Sequence, residues 1–83
     1  MVKGDYVLAT KYRDGDPQDQ WAVGFYDHTI GDRHFVVGND GNQLRANGFR
    51  RVETITHEQG DYLLQNARDI EMSGNSVWSF IQR

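Results

Sequence analysis

The sequence predicts a mainly β domain, a small antiparallel barrel or rolled sheet carrying one short α-helix near residues 57–67. Three observations lead there. Short runs of aromatic and branched residues recur along the chain, the turn dipeptides Asp40-Gly41 and Asn47-Gly48 separate several of them, and a helix-start signature stands at Thr56.

The first strand is read from Asp5 to Lys11, where Val7 and Ala9 fall on one face and Tyr6, Leu8 and Thr10 on the other. Residues Arg13 to Asp19 follow as a loop, because Gly15 permits positive φ, Pro17 removes a donor and three aspartates resist burial. Gln20 to Asp27 makes the second strand, with Trp21, Val23 and Phe25 on one face, Ala22, Gly24 and Tyr26 opposite, and a bend expected at Gly24. After a polar connection from His28 to Asp32, Arg33 to Asn39 forms a third apolar run in which Phe35 and Val37 share a face.

Beyond Asp40-Gly41, Gln43 to Ala46 is expected to return as a fourth strand, and Phe49 to Val52 to extend again after Asn47-Gly48. Thr56-His57-Glu58-Gln59 fits a capping box, so a helix runs from about His57 to Ala67 with Tyr62, Leu63, Leu64 and Ala67 as its apolar stripe. Gly60 inside that helix costs about 1 kcal/mol relative to alanine. Ile70 to Met72, the turn Ser73-Gly74-Asn75-Ser76 and Val77 to Gln82 read as a final hairpin, the last segment having a helical turn capped by Ser76 as its alternative. Closely spaced strands joined by such turns favour a closed arrangement that hides strand edges, and an SH3-like barrel is the first choice.

Composition bounds the chemistry. Eighty-three residues make one domain, 1–83, with a core too small for a deep substrate cavity. The chain has no cysteine, which removes disulfides, thiolate nucleophiles and cysteine-ligated metals. Met1 to Asp5 lack the apolar stretch of a signal peptide and no run has the length of a membrane span, so a cytoplasmic protein without membrane association is expected. The net charge is −3, with seven acids against four bases in residues 1–40 and five of each in 41–83. That average opposes nonspecific phosphate attraction.

The segment Gly4-Asp5-Tyr6-Val7-Leu8-Ala9, an acidic Gly-containing loop and Gln20-Trp21-Ala22-Val23-Gly24 together resemble the opening of Tudor-like SH3-fold barrels. The resemblance covers the chain up to Asp27 and implies a fold rather than an activity. Lys3 to Asp27, Asn39-Asp40-Gly41-Asn42-Gln43 and Gly48-Phe49-Arg50-Arg51-Val52 also look like small uncharacterised bacteriophage and prophage proteins. That likeness implies a phage or prophage accessory protein working in the host-cell cytoplasm, and brings no known activity.

Catalytic and cofactor motifs are missing from the sequence. It contains no G-x-S-x-G elbow, no G-x-G-x-x-G and no Walker sequence, so no enzyme and no cofactor are expected. Asp14, Asp16 and Asp19 do not fit an EF-hand, whose glycine would fall at Asp19 and whose bidentate glutamate at Phe25, and they read as a solvated acidic turn. His28, Asp32 and His34 crowd one connection without a metal-ligand spacing. Three surfaces remain. Tyr12, Trp21, Tyr26 and Phe35 are the candidate anchors for a protein or peptide partner, as an aromatic cage or groove of the kind the resembling barrels use for methylated or proline-rich peptides. Arg45, Arg50 and Arg51 with Phe49 form the alternative, phosphate contacts beside a base-stacking ring. Trp78, Phe80 and Ile81 offer a surface for self-association if the core cannot house them. The leading expectation is a non-enzymatic binding or adaptor module, with a nucleic-acid-binding barrel as the alternative.

Overall fold

The computed structural model describes residues 1–81. Four antiparallel strands, β1 (Tyr6–Thr10), β2 (Trp21–Ile30), β3 (Arg33–Val37) and β4 (Arg51–Thr54), form one sheet in the order β3-β2-β1-β4. Two short helices, α1 (His57–Gln65) and α2 (Ala67–Met72), and a 3-10 turn over Val77–Phe80 follow. The fold is therefore mainly β, as the strand pattern predicts. Among the described residues, no helix is long and apolar enough to cross a membrane.

Alternation along β1 divides the core in two. Val7 and Ala9 are fully buried with Val36 and Phe49, and Ala22, Tyr26 and Val52 pack around them. Leu8, on the opposite side of β1, joins Leu63 of α1, Ile70 of α2 and Val77, with Trp21, Val23, Ile55, Trp78, Phe80 and Ile81 packed against that group. Both faces of the sheet are covered. Trp21 and Val23 face the helices while Tyr26, on the opposite face of β2, packs into the other cluster.

The first strands and the turns fall close to expectation. Gly41 and Gly48 both adopt positive φ, at 80° and 72°, which is what their turn positions demand. Residues 43–46 do not form the expected strand. Gln43 makes one bridge to Val37 and Phe49 one to His34, while the Leu44 amide donates to the Val36 carbonyl at 3.0 Å. The intervening chain is taken up by a turn in which the Gly48 amide donates to the Arg45 carbonyl. The last strand starts later than expected, at Arg51, and runs to Thr54.

The capping box is formed in full: the Gln59 amide donates to Thr56 Oγ1 at 3.1 Å and the Thr56 amide to Gln59 Oε1 at 2.9 Å. Of the expected stripe, Leu63 is buried whereas Tyr62 and Leu64 are exposed. Gly60 has a packing reason. A Cβ there would run into the Tyr6 ring, which stacks on His57 at 4.8 Å between centroids and meets Phe25 at 5.4 Å.

The expected C-terminal hairpin is corrected. Ile70–Met72 lies within α2, and Val77–Phe80 is a single 3-10 turn whose Ser76 side chain accepts the Trp78 amide at 3.3 Å, the capped helical alternative. Gln82 lies outside the described residues. The turn is anchored by Trp78 Nε1, which donates to the buried Thr10 hydroxyl at 3.2 Å, and Thr10 in turn donates to the Tyr12 carbonyl at 2.7 Å. Val77, Trp78, Phe80 and Ile81 all pack against the Leu8 group, so the core houses much of the segment that was the self-association candidate.

Candidate functional site

The four aromatic anchors are not brought together. Tyr12 lies exposed just after β1, its ring under the Lys11 ammonium and its amide donating to the Asp19 carboxylate at 3.0 Å. Trp21 packs on the helical side and Tyr26 on the other, while the Phe35 ring stacks on His28 at 4.7 Å. Period-2 alternation separates Trp21 from Tyr26 by an odd number of residues, and that places them on opposite faces. No aromatic cage is built from this set.

The arginine set is also dispersed in role. Phe49 is 2% exposed and belongs to the core, so its ring has no free face for a base. Arg51 reaches Glu53 Oε2 with two nitrogens, at 2.6 and 3.0 Å, and lies over the Trp78 ring at 3.9 Å. Arg45 donates to Gln20 Oε1 at 3.3 Å and to the Gly48 carbonyl. Arg50 is exposed, and its carbonyl accepts from Arg13 Nε at 3.2 Å.

Two grooves unite members of both sets: one joins Tyr12 and Arg50 with Arg13, Asp14 and Asp32, and the other, around Trp21, Arg45 and Phe49, is the more apolar. This second groove encloses about 470 Å³ between the acidic loop, the start of β2, the 44–49 segment and α2 with the turn that follows it. Its apolar lining is Trp21, Ala22, Leu44, Phe49, Ile70 and Val77, and its polar lining includes Gln18, Asp19, Gln20, Arg45, Glu71 and Asn75. A volume of this size with apolar walls and a few polar groups is usual for binding clefts. Leu44 is 41% exposed and supplies a wall, its Cδ atoms set against Gly24 and Gly38, where any added Cβ would collide with them. The Arg45–Gln20 bond ties that wall to the opposite loop.

The loop itself is held by its aspartates. The Asp16 amide donates to Asp14 Oδ1, the Gln18 amide to Asp16 Oδ1, and Asp19 accepts from Tyr12, which closes the loop at its base. Asp19 is held above the usual carboxylate range, chiefly by partial burial and further by the charges of Asp14 and Asp16, against the opposing Tyr12 bond. Gly15 brings the loop near Ser76, whose Oγ would lie 3.6 Å from a Cβ at that position.

His28 of β2 and His34 of β3, expected in and beside a polar connection over His28–Asp32 that β2 in fact occupies as far as Ile30, serve different partners. His28 Nδ1 bonds to the Asp27 carboxylate, a bond that with Lys3 holds Asp27 below its ordinary value. His34 Nδ1 lies 2.8 Å from Thr29 Oγ1, which also meets Tyr26 Oη. Among the described residues, no group of three or more His, Cys, Asp or Glu is arranged to hold a metal ion. His34 is pushed below its ordinary value by burial first and by Arg13 second, with Asp32 opposing. The folded chain therefore protonates His34 less readily than the unfolded chain does. Stability from this source is complete above about pH 6.5 and is lost as pH falls through the lower folded value. The expected result is a urea midpoint that declines from about pH 6.5 to pH 5 in the native chain and is flatter over that range in His34→Gln.

The chain matches no family model, no curated protein and no solved structure. The site therefore rests on its own geometry.

Of the groove residues, only Trp21, Arg45 and Phe49 are among the sequence candidates. Leu44, Ile70, Glu71 and Asn75 are not. A signal for Ile70 and Glu71 was present, since Leu63, Ala67 and Ile70 continue a helical stripe at i, i+4 and i+7. For Leu44 no sequence signal distinguishes a groove wall from a strand residue.

Proposed function

We propose that the chain is a non-enzymatic protein- or peptide-binding module of SH3-like shape, a phage or prophage accessory protein acting in the host-cell cytoplasm. The bridges from residues 43 and 49 back to β3 support a rolled, barrel-like course, because they carry the chain from the β3 edge of the sheet towards β4. The observation that carries the binding reading is the groove. It sets an indole, an exposed leucine and a set of fixed polar groups around a cleft large enough for several side chains. The contact surface differs from the four-residue aromatic set. Trp21 remains, joined by the exposed Leu44 and Glu71, whereas Phe49, Ile70 and Val77 are buried and Tyr26 serves the core. Nucleic-acid binding is the weaker reading, given a net charge of −3, a buried Phe49 and an Arg51 engaged by Glu53.

A peptide selected on the immobilised protein from a displayed random library provides the test. Its affinity is expected to fall about tenfold in Leu44→Gln, the loss of roughly 1.5 kcal/mol of apolar contact, and to stay unchanged in Arg50→Ala. A selected peptide that loses binding in Arg50→Ala and keeps it in Leu44→Gln overturns the groove. Unfolding curves of both variants establish that the fold is retained.

A further inference from the structure

The charges around the groove are unequal, with two acids against one cation among its described lining residues. Asp19 and Glu71 line the groove against the single cation Arg45, and Asp14 and Asp16 stand on the same loop close enough to act on Asp19. Arg45 is already committed to Gln20 Oε1 and the Gly48 carbonyl. Glu71 is exposed on α2. The apolar lining of Trp21 and Leu44 suits an aliphatic stem, while the acidic margin suits a positive head, the two properties that lysine and arginine combine.

We propose that the occupant of this groove is a lysine- or arginine-bearing segment of a partner protein, its stem against Trp21 and Leu44 and its cationic head drawn to Asp19 and Glu71. This rests on the groove being the binding surface. Recognition here is by an ion pair at an apolar cleft, and α2 is indispensable to it because Ile70 and Glu71 come from that helix. The like charges of Asp14 and Asp16 beside Asp19 fit the same picture, since a bound cation would offset them. A polyanion would meet the acidic margin with like charge, so nucleic acid is not the occupant.

The test uses two soluble probes, a short alternating lysine–leucine peptide and its glutamate–leucine counterpart, each titrated into the full chain and followed by amide and indole NMR signals. The lysine–leucine peptide is expected to move the Trp21 indole and the Leu44 and Glu71 amides, and the glutamate–leucine peptide to leave them in place. Glu71→Gln should weaken the lysine–leucine peptide about three- to fivefold, the range of a part-exposed ion pair. If both peptides shift the groove signals equally, the charge preference is overturned while the groove reading survives. If the lysine–leucine peptide moves only acidic residues elsewhere, such as Asp61 or Asp69, the proposed occupant is overturned. If neither peptide moves any signal while a library-selected peptide without lysine or arginine binds the groove, the proposal is likewise overturned.

Discussion

Leu8→Ala is expected to lower the free energy of unfolding by about 3 kcal/mol, within the usual range of roughly 2–5 for truncating a buried leucine. Leu8 is fully buried on the central strand pair and is the one β1 residue of the group formed with Leu63, Ile70 and Val77. Its removal leaves a cavity at the meeting point of the sheet, both helices and the 3-10 turn, so no single element can collapse to fill it. For a domain of this size that loss corresponds to a fall in Tm of about 12–24 °C. Leu64→Ala is the contrast. Leu64 is 55% exposed on the same helix as Leu63, and its truncation should stay within about 0.5 kcal/mol. Urea unfolding of both variants measures the pair, and similar losses in the two would mean that α1 does not face the sheet through Leu63.

Gly24→Ala is the second large effect, and its origin is steric rather than conformational. Gly24 does not have positive φ, yet a Cβ there would come within 2.6 Å of the Val37 carbonyl oxygen, 2.7 Å of Leu44 Cδ1 and 3.0 Å of Val36 Cγ1. The first of these is backbone of the adjacent strand, and it cannot withdraw without disturbing the β2–β3 pairing at Phe25 and Val37. Overpacking of this kind costs about 1–3 kcal/mol and occasionally more, and the upper end is expected here because three neighbours converge. Displacement of Leu44 would also move the groove wall. Gly24→Ala should therefore lose peptide affinity as well as stability, whereas Leu8→Ala, measured at a temperature where it is folded, should lose stability alone.

Much of the sheet is legible in the sequence because its causes are local. β1, β2 and β3 follow from period-2 alternation, and Thr56 announces α1 through side-chain chemistry confined to four residues. The helical C-terminal part is less so. Val77, Trp78, Phe80 and Ile81 are strand-prone in isolation, and it is the Leu8 group, reached only after the chain folds back, that stabilises a 3-10 turn instead. Ser76 marked that outcome, since a capping hydroxyl is a local signal for a helical turn. The aromatic site was read from residue type alone. Period-2 alternation already sets Trp21 and Tyr26 on opposite faces, and a sheet covered on both faces gives each ring a separate core to enter. The groove draws on three separated stretches of chain, 17–22, 44–49 and 70–77, and their convergence cannot be read from any one of them.

The proposed partner segment lies in the groove against Trp21 and Leu44. An NMR titration of the full chain with a library-selected peptide tests it most directly. Shifts are expected to concentrate on the Trp21 indole and on the amides of Gln20, Leu44, Glu71 and Val77, with Arg13 and Arg50 unmoved. Shifts concentrated on Tyr12, Arg13 and Arg50, with the Trp21 indole unmoved, would contradict it.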